Sequence, residues 1–289
     1  MSEALAPACA AQRTVTILGN ELVAHNTYKL TLDDPVQARQ ITPGQFVMVR
    51  AGMGNDPLLG RPFALFDVVR DSQGLPSAVE LVYLVLGRGT AELGRKRAGE
   101  QLPIWGPLGN GFSGPPAEGG EVGFVAGGIG FTPFLALGKW WRGGANYGIS
   151  APFHSPFVSH ARLYYGARSA NLFAGLDQFA QAGIDVRTAT DDGSLGHHGF
   201  VTDLLKADLQ AGWKPSKLVG CGPAPMLKVL SGIAHEYGIP CDLSLENHMA
   251  CGFGACFSCV TPIREPNGTT DLKRVCVEGP VFDSQRVVF

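Results

Sequence analysis

Met249-Ala250-Cys251-Gly252-Phe253-Gly254-Ala255-Cys256-Phe257-Ser258-Cys259 places three cysteines at C-x4-C-x2-C spacing, and Cys276 follows with sixteen residues between. Four thiolates at plant-type spacing hold a 2Fe-2S cluster. A four-cysteine zinc site is the alternative, but zinc motifs usually consist of two separate short clips. Purely structural thiols are a third alternative. Gly252 and Gly254 allow tight turns with positive φ, so that N–H groups can face sulfur. Cys251, Cys256, Cys259 and Cys276 are therefore the candidate metal ligands.

Upstream, Asp242-Leu243-Ser244-Leu245-Glu246 reads as a short strand leading into this loop. Downstream, Val260–Ile263 and Leu272–Val275 flank a Pro-Asn-Gly turn, the pattern of a β-hairpin that delivers Cys276. A tail of this size has little core of its own, and bonds to iron would pin it.

Between residues 121 and 240 the sequence alternates strand, loop and helix, which predicts a parallel sheet with crossovers. Val122–Ala126 is a buried-type strand. Gly127-Gly128-Ile129-Gly130-Phe131-Thr132-Pro133 is the loop after it, and a helix starts at Phe134. A strand, a glycine loop and a helix place a pyrophosphate at the helix N-terminus. Thr132-Pro133 stand where a full dinucleotide fingerprint has its third glycine, so the motif is not a complete one. Ligands of such sheets bind at the carboxyl ends of the strands. Those ends carry Gly127-Gly128, Gly166-Ala167-Arg168, Asp191-Asp192 and Cys221-Gly222-Pro223. Four loops on one edge signal more than any one alone. Asp191 and Asp192 either hold a ribose or cap the next turn. Cys221 is either a small buried residue or one that lies against a nicotinamide. The segment 142–160, with His154 and His160, reads as an inserted surface loop.

Residues 13–112 are rich in short alternating runs separated by Gly and Pro, which predicts a small barrel. Arg61-Pro62 at a strand start and Gly89-Thr90 at a helix start are candidate pyrophosphate contacts. Taken singly, each is as well read as a surface ion-pair residue or a turn. Ser113–Gly120 is a linker. The predicted fold class is thus α+β and multidomain: an antiparallel β-barrel at 13–112, an α/β parallel-sheet domain at 121–240 and a small cluster domain at 241–289.

The chain has 289 residues, 45% hydrophobic and 17% charged, with a net charge of −2, and this describes a globular protein without an electrostatic case for nucleic acid. No run of apolar residues is long enough to span a membrane, and residues 1–12 do not read as a secretion signal. Of seven cysteines, four are claimed by the cluster, leaving Cys9, Cys221 and Cys241. Reduced thiols beside a metal cluster predict the cytoplasm.

The order of parts resembles the ferredoxin reductase superfamily. Met249–Cys259, Val275–Phe282, Arg61-Pro62, Gly89-Thr90, Gly127–Pro133, Asp192-Gly193-Ser194 and Cys221-Gly222-Pro223 resemble the electron-transfer subunits of class 1B dihydroorotate dehydrogenases. The resemblance covers about 13–289. It implies FAD on the barrel, with Arg61, Pro62, Phe63, Ala64, Val82, Tyr83, Leu84, Gly89 and Thr90 around it. It implies NAD at Gly127, Gly128, Gly130, Thr132, Asp192, Cys221, Gly222 and Pro223, and a 2Fe-2S cluster on the four cysteines. It also implies an FMN-containing catalytic partner in a two-plus-two heterotetramer, with electrons passing from dihydroorotate through FMN, cluster and FAD to NAD+ in pyrimidine biosynthesis. Two departures stand out. Ala64 replaces the family's usual serine, which removes a hydroxyl beside the flavin, and the insert at 142–160 is unexpected. The same modules also serve ferredoxin:NAD(P) oxidoreductases and hydrogenase subunits, and a non-catalytic redox sensor would keep them too. Asp191 or Asp192 disfavours a 2′-phosphate, whereas Arg168 would accept one. Phe253 and Phe257 are read as local core or as a partner surface.

Overall fold

The structure is a computed structural model that describes residues 11–54, 56–116, 119–148 and 158–289. Cys9, His154 and the middle of the 142–160 insert lie outside the described residues.

The first half forms a closed antiparallel barrel. Its strands are β1 (Ala11–Ala24), β2 (Thr27–Asp33), β3 (Phe46–Val49), β4 (Arg61–Arg70), β5 (Pro76–Leu84) and β6 (Gln101–Leu108), in the order β1-β2-β5-β4-β3-β6 with β6 closing on β1. Alternation sends Ile17, Leu30, Leu32, Val47, Leu65, Leu81 and Ile104 inward, all buried. A short helix, α1 (Pro35–Gln40), follows β2. Pro35 opens it, and the Asp34 side chain accepts the Gln37 N–H at 2.9 Å. Arg13 donates to the other Asp34 oxygen at 3.0 Å and so compensates the charge of this buried cap. Helix α2 (Arg88–Gly94) lies between β5 and β6. The Thr90 hydroxyl accepts the N–H groups of Leu86 and Gly87 and fixes the turn that starts it.

The second half is a seven-stranded sheet. It contains β7 (Glu121–Gly127), β8 (His160–Ala167), β9 (Asp185–Thr190), β10 (His197–His198), β11 (Lys217–Cys221), β12 (Cys241–Ser244) and β15 (Val281–Asp283), in the order β10-β9-β8-β7-β11-β12-β15. All pairs are parallel except β12 with β15. Helices α3 (Phe134–Trp141), α4 (Leu176–Gln181), α5 (Val201–Gln210) and α6 (Ala224–Glu236) cover it. Phe124 stacks on Phe134 with centroids 5.1 Å apart, which seats α3 on the sheet. The two halves share one apolar core. Barrel residue Phe66 meets Phe131 and Phe179 edge-on, at 5.9 and 6.5 Å.

Residues 241–289 divide between this sheet and a hairpin. β12 and β15 are sheet strands, while β13 (Val260–Arg264) and β14 (Thr270–Arg274) form a separate hairpin, against which the C-terminal segment lies through an antiparallel bridge from Ile263 to Val287. Among the described residues, no helix is long and apolar enough to cross a membrane.

Candidate functional site

The cluster loop is built between the barrel and the hairpin. Gly252 and Gly254 have φ of +80° and +88°. A Cβ on Gly252 would sit 2.6 Å from Met48, and one on Gly254 would sit 2.6 Å from Val277, so both positions exclude side chains on conformational and steric grounds. The Trp105 indole N–H donates to the Cys251 carbonyl at 2.7 Å, and this bond ties the loop to β6. Asn110 makes two further bonds to the other flank, its N–H to Gly279 O at 2.6 Å and its side-chain amide to Glu278 O at 2.9 Å. Arg274 pairs with Glu278 at 2.5 Å, donates to Gly254 O at 3.2 Å and lies 5.0 Å above the Phe257 ring. Trp105→Phe is expected to lose both the indole bond and the outer ring that packs on Gly60, lowering stability by at least about 1 kcal/mol in a thermal melt.

The four thiols stand as two pairs. Cys259 and Cys276 are buried, with Sγ atoms 3.2 Å apart. Cys256 is exposed, and half-buried Cys251 is near enough to help lower its pKa. The Ser258 hydroxyl, 3.1 Å from the Cys256 sulfur, together with the neighbouring N–H groups, holds the Cys256 thiol down to about 6. Burial and the adjacent Cys259 push Cys276 up to about 12. Among the described residues, no three His, Cys, Asp or Glu side chains converge on a single-ion site. Four thiols fit the donor set that a 2Fe-2S cluster takes, and these cysteines would hold it.

A cleft of about 410 Å³ lies beside the loop. Arg61, Pro62, Phe63 and Ala64 from the start of β4 line it, with Val82, Tyr83 and Leu84 from the end of β5 and Gly89 and Thr90 from α2. Thr132 enters from the glycine loop, Cys221 from the end of β11, and Ser244 to Met249 from the end of β12 into the cluster loop. The barrel, the nucleotide loop and the cluster segment thus face one space. The Tyr83 hydroxyl turns away and donates to Asn20 at 3.0 Å, and burial keeps it protonated. The Arg61 guanidinium donates to Leu59 O and Gly60 O at 3.1 Å and lies against Gly89, whose Cβ would meet it at 3.4 Å. An arginine beside the N–H groups at a helix start suits a pyrophosphate. Ala64 pairs with Phe46 in the β3–β4 ladder and brings a methyl group to the wall.

Gly127, Gly128, Gly130, Gly222 and Pro223 serve a different purpose from the cleft wall. Residues 128–131 form a single 3-10 turn, and it crosses the end of β11 so closely that a Cβ on Gly130 would be 2.2 Å from Cys221 O. Gly127 meets Pro223 in the same way, at 2.7 Å. Asp192 stands two strands away from this crossing, exposed at the end of β9. Its Oδ1 accepts the Ser194 N–H at 2.9 Å and hydroxyl at 2.5 Å, and these bonds lower its pKa. Asp192 therefore does cap its turn, while the Asp191 carboxylate makes no hydrogen bond or ion pair among the described residues.

Sequence reasoning missed Glu246. Its side chain is exposed to the cleft, and desolvation by the surrounding walls raises its carboxyl above the usual range. Burial, and then the Glu246 charge, raise the Cys221 thiol, so Cys221 is no thiolate nucleophile. The strand-end rule that marked four loops also marks β12, had its last residues been read as sheet rather than as the start of the tail.

Residues 246–288 match the family model described as the iron-sulfur cluster binding domain of dihydroorotate dehydrogenase B. The electron transfer subunit of dihydroorotate dehydrogenase B (NAD(+)) from Desulforamulus reducens is 38% identical over 274 residues, 94% of this chain and 97% of that one. The chain belongs to this family. The corresponding subunit from Geobacillus thermodenitrificans is also 38% identical, over 95% of this chain and 97% of its own. Among solved structures, an NADH-dependent reduced ferredoxin-NADP oxidoreductase aligns with a TM-score of 0.77 at 25% identity, over 95% of this chain and 89% of that chain. An Amycolatopsis cytochrome P450 reductase shares the fold, with a TM-score of 0.62 at 21% identity over 82% of this chain and 69% of that one.

Proposed function

We propose that this chain is the electron-transfer subunit of an NAD-linked dihydroorotate dehydrogenase, working in pyrimidine biosynthesis. The observation that carries the reading is the single cleft shared by the start of β4, the glycine loop and the segment that leads into Cys251. When bound, FAD supplies the exchange between hydride and single electrons, and the 2Fe-2S cluster supplies the single-electron step. The protein positions and insulates. Arg61, Gly89 and Thr90 hold pyrophosphate, Pro62 to Ala64 and Val82 to Leu84 wall the flavin ring, and the thiols of Cys251, Cys256, Cys259 and Cys276 bind iron. Gly127, Gly128, Gly130, Gly222 and Pro223 shape the nicotinamide end, beside Thr132 and Cys221. Trp105 fixes the separation of barrel and cluster loop through its bond to Cys251 O.

Phe253 and Phe257 are 57% and 61% exposed on the cluster loop. Large apolar side chains beside an electron port favour a protein partner over local core. The partner proposed is an FMN-containing catalytic subunit in a two-plus-two complex in the cytoplasm. The domains proposed are 13–112, 121–240 and 241–289.

Asp191 and Asp192, with Asp192 held ionised by Ser194, place negative charge at the end of β9 where a 2′-phosphate would lie. NADH is the nucleotide expected. Asp191→Ala is expected to raise the KM for NADH about tenfold and to narrow discrimination against NADPH, through loss of one charge-assisted ribose bond. Steady-state kinetics with both nucleotides check it.

The native complex decides the reading. Copurification with an FMN protein, together with dihydroorotate-dependent NAD+ reduction, is expected. Copurification with a hydrogenase or a ferredoxin-linked partner, and no response to dihydroorotate, would overturn it.

A further inference from the structure

On the seam between the two halves lies a second cleft, of about 540 Å³. Asp67 and Arg70 come to it from the far end of β4, Lys139 and Arg142 from the end of α3, Tyr147 from the inserted loop and Gln181 from the end of α4. None of these residues lines the cofactor cleft.

The charges here do not balance. Asp67 is buried and fully engaged: it accepts the Tyr147 hydroxyl at 2.7 Å, its neighbour's N–H from Val68 at 2.8 Å, and the Lys139 ammonium. The Lys139 charge is matched by Asp67. The nearby Glu80 is matched by Lys29 at 3.0 Å. Asp71, next along the chain from Arg70, is exposed and accepts the N–H groups of its own turn, from Gln73 and Leu75. Arg70 and Arg142 have carbonyl partners alone. Arg70 donates to Gly74 O and Asn146 O, and Arg142 to Ala182 O and Gly183 O. Among the described residues, neither forms an ion pair. Two guanidinium groups thus face a cavity of small-molecule size with no carboxylate to answer them.

We propose that this cleft is a binding site for a phosphate-bearing small molecule, held by Arg70 and Arg142 across the seam between barrel and nucleotide domain. Guanidinium forks suit a phosphate because two N–H groups can meet two oxygens at once. Oxyanions in this position answer both unpaired charges, and Tyr147 and Lys139 stay committed to Asp67. The ligand touches both halves of the molecule. β4 runs from Arg61 in the cofactor cleft to Arg70 here, and α3 runs from the glycine loop to Arg142. The site is therefore separate from the nucleotide site and connected to it by two rigid elements.

The test is calorimetric titration of the cofactor-loaded native complex, saturated with NAD+, using inorganic phosphate, pyrophosphate and ADP in separate runs. Saturable binding to one site per subunit is expected for at least one probe, weakened about tenfold or more in Arg70→Gln/Arg142→Gln, since each lost charge-assisted contact costs that much. Lys228→Gln, an exposed change on α6, is expected to bind as wild type. Phosphate or pyrophosphate binding identifies a simple oxyanion site, and binding of ADP alone identifies a nucleotide site. Should the double variant fold poorly, Arg70→Lys keeps the charge and loses the fork, and is expected to weaken binding with flavin absorbance unchanged. No saturable binding, ADP binding that NAD+ abolishes, or equal affinity in the arginine variants would each overturn the proposal.

Discussion

Cys276→Ala protein is expected to purify yellow but nearly free of iron and acid-labile sulfide. The residue is 2% exposed, and its sulfur lies 3.2 Å from that of Cys259. The remaining described cysteines, Cys221 and Cys241, are buried within strands β11 and β12 of the sheet. Losing one of four thiolates removes one half of an iron's protein ligands. Loss of a residue that merely supports a ligand already costs roughly 10–100-fold in metal affinity, so loss of the ligand itself is expected to cost more. Dihydroorotate-linked NAD+ reduction should fall at least about 100-fold on the same scale. NADH oxidation with ferricyanide needs only the flavin end and should stay within about twofold. The split between these two assays is the diagnostic. The residues proposed to hold the flavin sit on β4, β5 and α2, apart from the loop 249–259 that carries three of the proposed ligands. Iron at wild-type content, or equal loss of both activities with loss of flavin, would refute the ligand assignment. Melting should also begin earlier, because the β13–β14 hairpin lies outside the main sheet and loses its metal cross-link.

Much of this architecture could be read from local pattern. The barrel strands alternate, the α3 boundaries at Phe134 and Trp141 follow from Pro133 and the apolar run, and the hairpin turn at 266–268 separates β13 from β14. What local pattern does not carry is partnership. β15 is three residues long, and nothing within Val281–Asp283 announces that it pairs antiparallel with a strand forty residues earlier. Its place in the sheet comes from Phe282, packed in the same cluster as Leu243 and Ile263. Helix α1 has six residues, too few to show a 3.6 period, and its only signal is Asp34-Pro35. The site divides in the same way. Cysteine spacing picks out four thiols that the structure brings together, and the strand-end rule picks out Cys221, which lines the cleft, and Asp192, which does not. That Asp192 spends one oxygen on Ser194, and that Glu246 faces the same cleft as Arg61, are matters of three-dimensional convergence. The unmatched arginines of the seam are less visible still, because Arg70 and Arg142 are ordinary surface residues in sequence and become a pair only when β4 and α3 end side by side.

The second large effect is expected at Gly130, and two other glycines calibrate it. In Gly130→Ala the new methyl would lie 2.2 Å from Cys221 O, 2.5 Å from its carbonyl carbon and 2.8 Å from Gly222 N. All three obstacles are main chain, so no rotamer change relieves them. The 3-10 turn at 128–131 must lift off the end of β11, carrying Ile129 and Thr132 out of the cofactor cleft and unsettling Phe131 against Tyr165, where the rings stack 4.9 Å apart. Overpacking of this kind costs about 1–3 kcal/mol and occasionally more, and contact with rigid backbone puts this case at the upper end. The KM for NADH should rise at least about tenfold, the equivalent of 1.4 kcal/mol, while iron content stays at wild type because the cluster loop is anchored to β6 and the hairpin instead. Gly128→Ala has no atom within 4 Å of its Cβ, but φ is +55°, so it should cost about 1–2 kcal/mol from the left-handed backbone alone. Gly232→Ala on α6 meets neither obstacle and should stabilise by about 0.5–1 kcal/mol. The predicted order of melting temperatures is Gly232→Ala above wild type, then Gly128→Ala, then Gly130→Ala. A Gly130→Ala protein that melts with Gly128→Ala and keeps its KM would mean that the glycine loop does not need its contact with Cys221 to form the nicotinamide end of the cleft.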